Sequence, residues 1–139
     1  MEPLRAFGEL ARRPEGAIDL GLGALLIAQI EHPDLDPTRE LKRLDELAGR
    51  VGRADVHRLR RFLFEEEAFA GNADDYYDPR NSCLNDVLDR RLGIPITLSV
   101  LAIEVGRRAG LAVHGVGLPG HFMATAAGVL FDPFNGGAA

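Results

Sequence analysis

The stretch GLPGHFMATAAGVLFDPFNGG, residues 117–137, predicts two paired strands that bring a histidine and an aspartate together. His121 begins one predicted strand and Asp132 lies near the end of the next, with a turn at Ala127-Gly128 between them. Antiparallel pairing would make the two side chains close neighbours across the ladder. A carboxylate beside an imidazole fixes its tautomer and raises its basicity, as in the second and third members of a catalytic triad. The same spacing also fits a histidine at a loop–strand junction and an Asp-Pro turn without chemistry.

Alternating apolar residues around this stretch predict a small antiparallel sheet. The strands are expected over residues 111–118, 121–126 and 129–134. Upstream, residues 94–110 are apolar nearly all round, and Pro95 fits the first turn of a helix that Gly110 ends. Such a helix is expected to lie at the centre of the domain, packed on the sheet.

The first half of the chain has a helical apolar period, which predicts three antiparallel helices on short turns. Asp36 caps the second of them with Pro37 at its first position, Gly49 ends it, and Gly71 ends the third. Polar and turn-forming residues follow at 72–82 and predict an ordered loop. A short helix is then expected to stop at Gly93, capped by Asn81 or Ser82.

These elements predict an α+β fold in which an N-terminal helical bundle precedes a central helix packed on a small antiparallel sheet. The 139 residues suggest a single domain, 1–139, with a helical part over 1–71 and the loop, central helices and strands over 72–139. The sequence stops just past the last predicted strand, so we expect it to be a piece of a longer protein.

Composition and charge narrow the classes of function. A net charge of −5 without a basic run argues against nucleic-acid binding. The most apolar stretch, residues 20–30, is too short to cross a bilayer, and the charged residues 1–9 lack the apolar core of a signal peptide, so no membrane association is expected. A single cysteine, Cys83, excludes an intrachain disulfide and favours the cytoplasm.

A third triad member would be a thiol or hydroxyl at a helix N-terminus. The first turn of the central helix offers Thr97 and Ser99 but no thiol, and Cys83 lies one helix earlier. A free cysteine is more often a small buried apolar residue than a nucleophile.

The four histidines are scattered without a cysteine pair, so no metal and no cofactor are expected. Gly115, Gly117 and Gly120 lead into a strand, which argues against a phosphate loop.

The motifs YYDPRNS, RRLGIPI, GVGLPGHF and DPFNGG resemble those of the bacterial SirB-type family, a branch of the transglutaminase-like (papain-like) superfamily. The resemblance covers roughly residues 15–137 and implies a helical N-terminal part followed by a helix on an antiparallel sheet. Members of the family usually continue into a C-terminal tetratricopeptide-like helical region, which this sequence lacks. The name comes from a proposed role in regulating a neighbouring invasion-related gene.

The wider superfamily has its nucleophilic cysteine in a Gly-x-Cys motif that opens the central helix. The matching segment here is Gly93-Ile94-Pro95, so the resemblance implies that Pro95 replaces the thiol, while His121 and Asp132 match the other two positions. Proline fits a first helical turn but cannot act as a nucleophile.

Three hypotheses follow for function. The first is a non-catalytic, regulatory module that binds a protein or peptide. Its groove would be lined by His121, Asp132 and the predicted binding residues Tyr76, Tyr77, Asn81, Thr97 and Asn135.

The second hypothesis is a cysteine hydrolase or acyltransferase that uses Cys83 with His121 and Asp132, which requires sulfur within about 4 Å of the imidazole. The third makes His121 and Asp132 a buried structural pair. The oligomeric state is left open.

Overall fold

The longest apolar helix of the second half lies at the centre of the molecule, as predicted. The computed structural model describes residues 19–138, and in it this helix spans Pro95–Arg108. Leu98, Leu101, Ala102 and Val105 are fully buried on it. The N-terminal helices pack against one side and the three-stranded sheet against the other, which explains why its apolar residues extend almost all round.

The described residues form five α-helices and two small sheets in an α+β arrangement, which confirms the predicted fold class. The helices are α1 (Leu20–Glu31), α2 (Pro37–Val51), α3 (Val56–Arg61), α4 (Leu84–Arg90) and α5 (Pro95–Arg108). The strands are β1 (Ala70–Gly71), β2 (Leu92–Gly93), β3 (His114–Leu118), β4 (His121–Ala126) and β5 (Val129–Phe131). A π-helical turn (Phe62–Glu66) and two 3-10 turns (Pro79–Ser82 and Pro133–Asn135) complete the elements.

Aspartates cap the three N-terminal helices. Asp36 accepts hydrogen bonds from two backbone N–H groups of α2 and Pro37 occupies its first position, which confirms the predicted start. The predicted end at Gly49 is wrong, because the helix continues to Val51 and stops at Gly52, whose φ of 71° favours glycine. The predicted third helix also ends early: α3 gives way to the π-helical turn well before Gly71.

The predicted cap of α4 is wrong as well. Asn81 and Ser82 lie in the 3-10 turn, and Cys83 is the residue that precedes the helix. The helix stops at Arg90 because Arg91 has a left-handed backbone, with φ at 64°. On either side of this segment, β1 pairs in parallel with β2, although the sequence predicts neither strand.

The three-stranded sheet has the order β3-β4-β5, with both pairings antiparallel. The turn between β4 and β5 lies at Ala127-Gly128, as predicted, and both residues have positive φ, as in a type I′ hairpin. The third predicted strand is too long, because Asp132 leaves the ladder and caps the 3-10 turn that follows. None of the helices within residues 19–138 is long and apolar enough to cross a membrane.

Candidate functional site

His121 and Asp132 lie on the same face of the sheet. Pairing of Ala124 with Phe131 sets the register, so Asp132 follows β5 at a position diagonal to His121. The distance from His121 Nδ1 to Asp132 Oδ2 is 3.8 Å, which confirms the predicted proximity. This distance is too long for a hydrogen bond but close enough for electrostatic attraction to a protonated imidazole. A catalytic role for the pair stays a prediction.

The Asp132 carboxylate is held in place by its own loop. Its Oδ1 accepts hydrogen bonds from the backbone N–H groups of Phe134 (3.0 Å) and Asn135 (3.3 Å). Its Oδ2 accepts one from the Asn135 side-chain amide at 2.6 Å. The carboxylate is therefore nearly buried and fixed, whereas the His121 side chain is 54% exposed. An exposed imidazole is inconsistent with a pair sealed in the core, and it leaves His121 open to a bound molecule.

A shallow groove of about 240 Å³ opens beside His121 at the N-terminus of α5. This volume lies below the usual range for small-molecule pockets, so the groove suits one or two side chains of a longer segment. Gly115 on β3 makes room for its aromatic wall, because a Cβ there would lie 2.7 Å from the Phe122 ring. The lining residues are Tyr76, Ile94, Pro95, Ile96, Gly120, His121 and Phe122.

The two predicted tyrosines take different positions at this groove. Tyr76 lines it and packs edge-to-face on Phe134, with the ring centroids 5.8 Å apart. Tyr77 contacts Tyr76 at 5.3 Å between centroids and is 90% exposed, beyond the lining. Phe134 lies in the 3-10 turn that Asp132 caps, so Tyr76 connects the 72–82 loop to the segment that carries Asp132.

Asn81 and Thr97 lie beneath the groove, which corrects their predicted place in its lining. Asn81 is fully buried, and its amide donates to the carbonyls of Asp75 (2.9 Å) and Tyr76 (3.0 Å) while accepting from Asn72 (3.0 Å). The Thr97 hydroxyl accepts from the Ile94 backbone N–H and lies 2.7 Å from the Asn81 carbonyl, to which it donates. Both side chains therefore hold the loop that presents Tyr76.

Pro95 is the first residue of α5 and lines the groove next to His121. Thr97 is engaged beneath the groove, and Ser99 is fully buried. Within the part of the chain that the structure describes, the groove lining contains no cysteine, serine or threonine. The geometry therefore supplies an imidazole and a carboxylate without an aliphatic hydroxyl or thiol to activate.

Cys83 lies in different surroundings from those that a triad with His121 requires. It is buried at the start of α4, with its sulfur 3.8 Å from the Pro79 carbonyl, and it does not line the groove. Burial raises the pKa of the Cys83 thiol, and the nearby carboxylates of Asp86 and Glu31 raise it further. An activated thiol has a lowered pKa, so this environment does not favour the hydrolase hypothesis.

Cys83 instead has a histidine that the sequence does not predict as a neighbour. His32, at the end of α1, lies beside it, and the His32 Nε2 atom is 2.7 Å from Asp86 Oδ2. The ligand atoms of His32, Cys83 and Asp86 all lie within 4.8 Å of one another. The only sequence signal is the spacing of Cys83 and Asp86, which places both on one face of a helix.

Taken together, these features define an α+β domain with a histidine–aspartate pair at the edge of a sheet, facing the tip of a central helix. A sequence family described as "Transglutaminase-like superfamily" matches residues 36–139, and the chain belongs to this superfamily.

Several curated proteins are similar to the chain. A UPF0162 protein of Xylella fastidiosa is 42% identical over 147 residues, covering 96% of this chain and 52% of that protein. A UPF0162 protein of Vibrio cholerae is 32% identical over 130 residues, with 88% and 48% covered. Mouse F-box only protein 21 is 41% identical over 61 residues, covering 44% of this chain and 10% of that protein.

The chain spans about half the length of the bacterial relatives it matches. No solved structure matches it.

Proposed function

We propose that this domain binds an extended segment of a protein partner in the groove beside His121 and performs no covalent catalysis. One observation carries the proposal: Pro95 occupies the helix tip that faces the histidine–aspartate pair, in a lining without cysteine, serine or threonine among the described residues. The supporting carboxylate and the cleft are present, while a nucleophile for acyl transfer is not beside them.

The groove has the chemistry of a peptide-recognition surface. Tyr76 and Ile96 present apolar surface to solvent, with 43% and 50% of their areas exposed. His121 adds a polar group that can donate or accept a hydrogen bond. Aromatic and apolar walls around a single polar group favour one inserted side chain and a hydrogen bond to the neighbouring backbone. Asn135 contributes indirectly, because its amide holds the Asp132 carboxylate behind the imidazole.

The experiment is a selection of peptides from a displayed library, with the 139-residue chain as bait, followed by affinity measurements on variants. Ile96→Asp places a charge in the groove and should weaken binding of the selected peptides about tenfold or more. Ile27→Asp is the matched control, because Ile27 is an isoleucine of similar exposure (47%) on α1. Equal weakening by both variants, or failure to enrich any peptide, would contradict the proposal.

We also propose that the chain belongs to the SirB-type branch of its superfamily and acts in the cytoplasm. The first part is supported by the four motifs around Tyr76, Pro95, His121 and Asp132, and the second by the single cysteine.

A further inference from the structure

The end of α1 and the start of α4 bring three potential metal ligands together, outside the lining of the groove. His32 terminates α1, Cys83 precedes α4, and Asp86 follows on the first turn of α4. Helices α1 and α4 pack against each other, so the cluster joins two elements that are 54 positions apart in sequence at His32 and Asp86. The cluster shares no residue with the groove, so its chemistry is independent of the function proposed above.

A thiolate, an imidazole and a carboxylate form a donor set that suits Zn²⁺. Bond lengths of about 2.0–2.3 Å place the ligand atoms of a tetrahedral zinc site roughly 3.3–3.7 Å apart. In the structure His32 Nε2 and Asp86 Oδ2 are 2.7 Å apart, and no two of the three ligand atoms are more than 4.8 Å apart. Side-chain adjustments of about 1 Å would therefore close the cluster around an ion, without movement of either helix.

A cavity of about 390 Å³ next to His32 provides a second, independent observation. Asn85 is one of its lining residues, and the Asn85 Oδ1 atom is buried without a hydrogen-bond partner among the described residues. A water bound to an ion is a donor that would satisfy such an oxygen. The remaining walls hold four carboxylates and one guanidinium, a balance that attracts cations: Glu31, Asp34, Asp36 and Glu40, with Arg39.

We propose that His32, Cys83 and Asp86 bind a Zn²⁺ ion, with water from the adjacent cavity as the fourth ligand. The ion replaces the hydrogen bond between His32 and Asp86 and neutralises two anionic ligands that stand close together at the helix start. Because its ligands come from both helices, the ion also links the end of α1 to the start of α4 and stabilises their packing.

Cobalt titration tests the site directly, because Cys83 is the only cysteine of the sequence. After treatment with a chelator, the 139-residue chain is titrated with Co²⁺, and a thiolate-to-cobalt charge-transfer absorption is expected to saturate at one ion per chain. Added Zn²⁺ should abolish this absorption by displacement. Zn²⁺ alone should raise the thermal unfolding midpoint of the chain, since a ligand that binds only the folded state stabilises it.

Variants distinguish a three-residue site from a thiol that binds metal alone. Cys83→Ser should remove the absorption and the Zn²⁺-dependent rise in midpoint, while His32→Ala and Asp86→Ala should each weaken Co²⁺ binding at least tenfold. His114→Ala and Asp89→Ala are the controls, because they remove an exposed histidine and an exposed aspartate of α4 and should leave Co²⁺ affinity unchanged.

Circular dichroism first establishes that each variant is folded. The proposal is overturned if no charge-transfer absorption appears, if His32→Ala and Asp86→Ala bind Co²⁺ as tightly as the unmodified chain, or if the controls weaken binding equally.

Discussion

Two clusters in this domain each combine a histidine with an aspartate, and their surroundings differ in nearly every respect. In the groove, His121 is exposed, the Asp132 carboxylate is fixed, and Pro95 lies beside His121 at the tip of α5. Between α1 and α4, His32 and Asp86 have a thiol as neighbour, but Cys83 is buried. The cluster between α1 and α4 thus contains all three side-chain types of a cysteine triad with its thiol buried, whereas the open groove has only the imidazole and the carboxylate beside it.

The comparison shows that side-chain types alone do not make a catalytic site. A nucleophilic thiol needs access to substrate and an environment that lowers its pKa. Burial and two nearby carboxylates raise the pKa of Cys83, whereas the groove offers access and an exposed imidazole but no thiol. Variants that affect both clusters, or only one of them, test this difference, beginning with the largest expected effect.

Leu101→Ala should destabilise the domain as a whole and therefore both clusters, because α5 packs against the sheet and against α1 and α4. Leu101 is fully buried, and its truncation should lower the free energy of unfolding by about 3 kcal/mol. Leu130→Ala is the control, since Leu130 is 41% exposed on β5 and its loss should change stability little. Urea denaturation measures both variants, and equal effects would contradict the central role of α5.

Asn81→Ala should affect mainly the groove. Loss of its side chain leaves the Asn72 amide and two carbonyls unpaired, which should cost about 2 kcal/mol of unfolding free energy and release Tyr76. Ser82→Ala is the control, because Ser82 is its exposed neighbour. Denaturation and tyrosine fluorescence report the two effects, and an Asn81→Ala variant as stable as Ser82→Ala would disprove the account.

Pro95→Cys should place a thiol in the groove, whose lining among the described residues contains none. A thiol at the tip of α5 and beside His121 should be alkylated by iodoacetamide at pH 7 roughly tenfold faster than Cys83, because the helix N-terminus and a protonated imidazole stabilise the thiolate. The measurement is made in a Cys83→Ser background, with Cys83 in the unmodified chain for comparison. Addition of His121→Ala should slow the reaction. An introduced thiol no more reactive than Cys83 would refute the interpretation of the groove.

The alkylation of native Cys83 should require a higher pH than that of an ordinary cysteine. Because burial disfavours the thiolate, the reaction should reach half its maximal rate at a pH above that of an ordinary cysteine. Asp86→Asn removes one of the carboxylates that raise this pKa, so it should shift the midpoint slightly downward. The profile is measured in metal-free buffer, and a midpoint below the ordinary range would identify Cys83 as an activated nucleophile after all.

Local patterns in the sequence predicted an element correctly where its limits depend on residues within the element itself. Residues 121–126 alternate as a strand does, and β4 has those limits; Pro95 begins α5 as its fixed φ predicts. Elements without a periodic pattern of apolar residues were not predicted. The two-residue strands β1 and β2 are too short to show one, and the π-helical turn at Phe62–Glu66 has the same apolar pattern as the helix it ends.

The sequence by itself determined the α+β class, the sheet that joins His121 to Asp132, and the proline at the helix tip, because each depends on residues near one another in the chain. Only the tertiary structure decided that Asn81 and Thr97 lie under the groove and that His32 meets Cys83. These contacts form where separate helices and loops pack, and side-chain spacing along the chain does not encode which elements pack together.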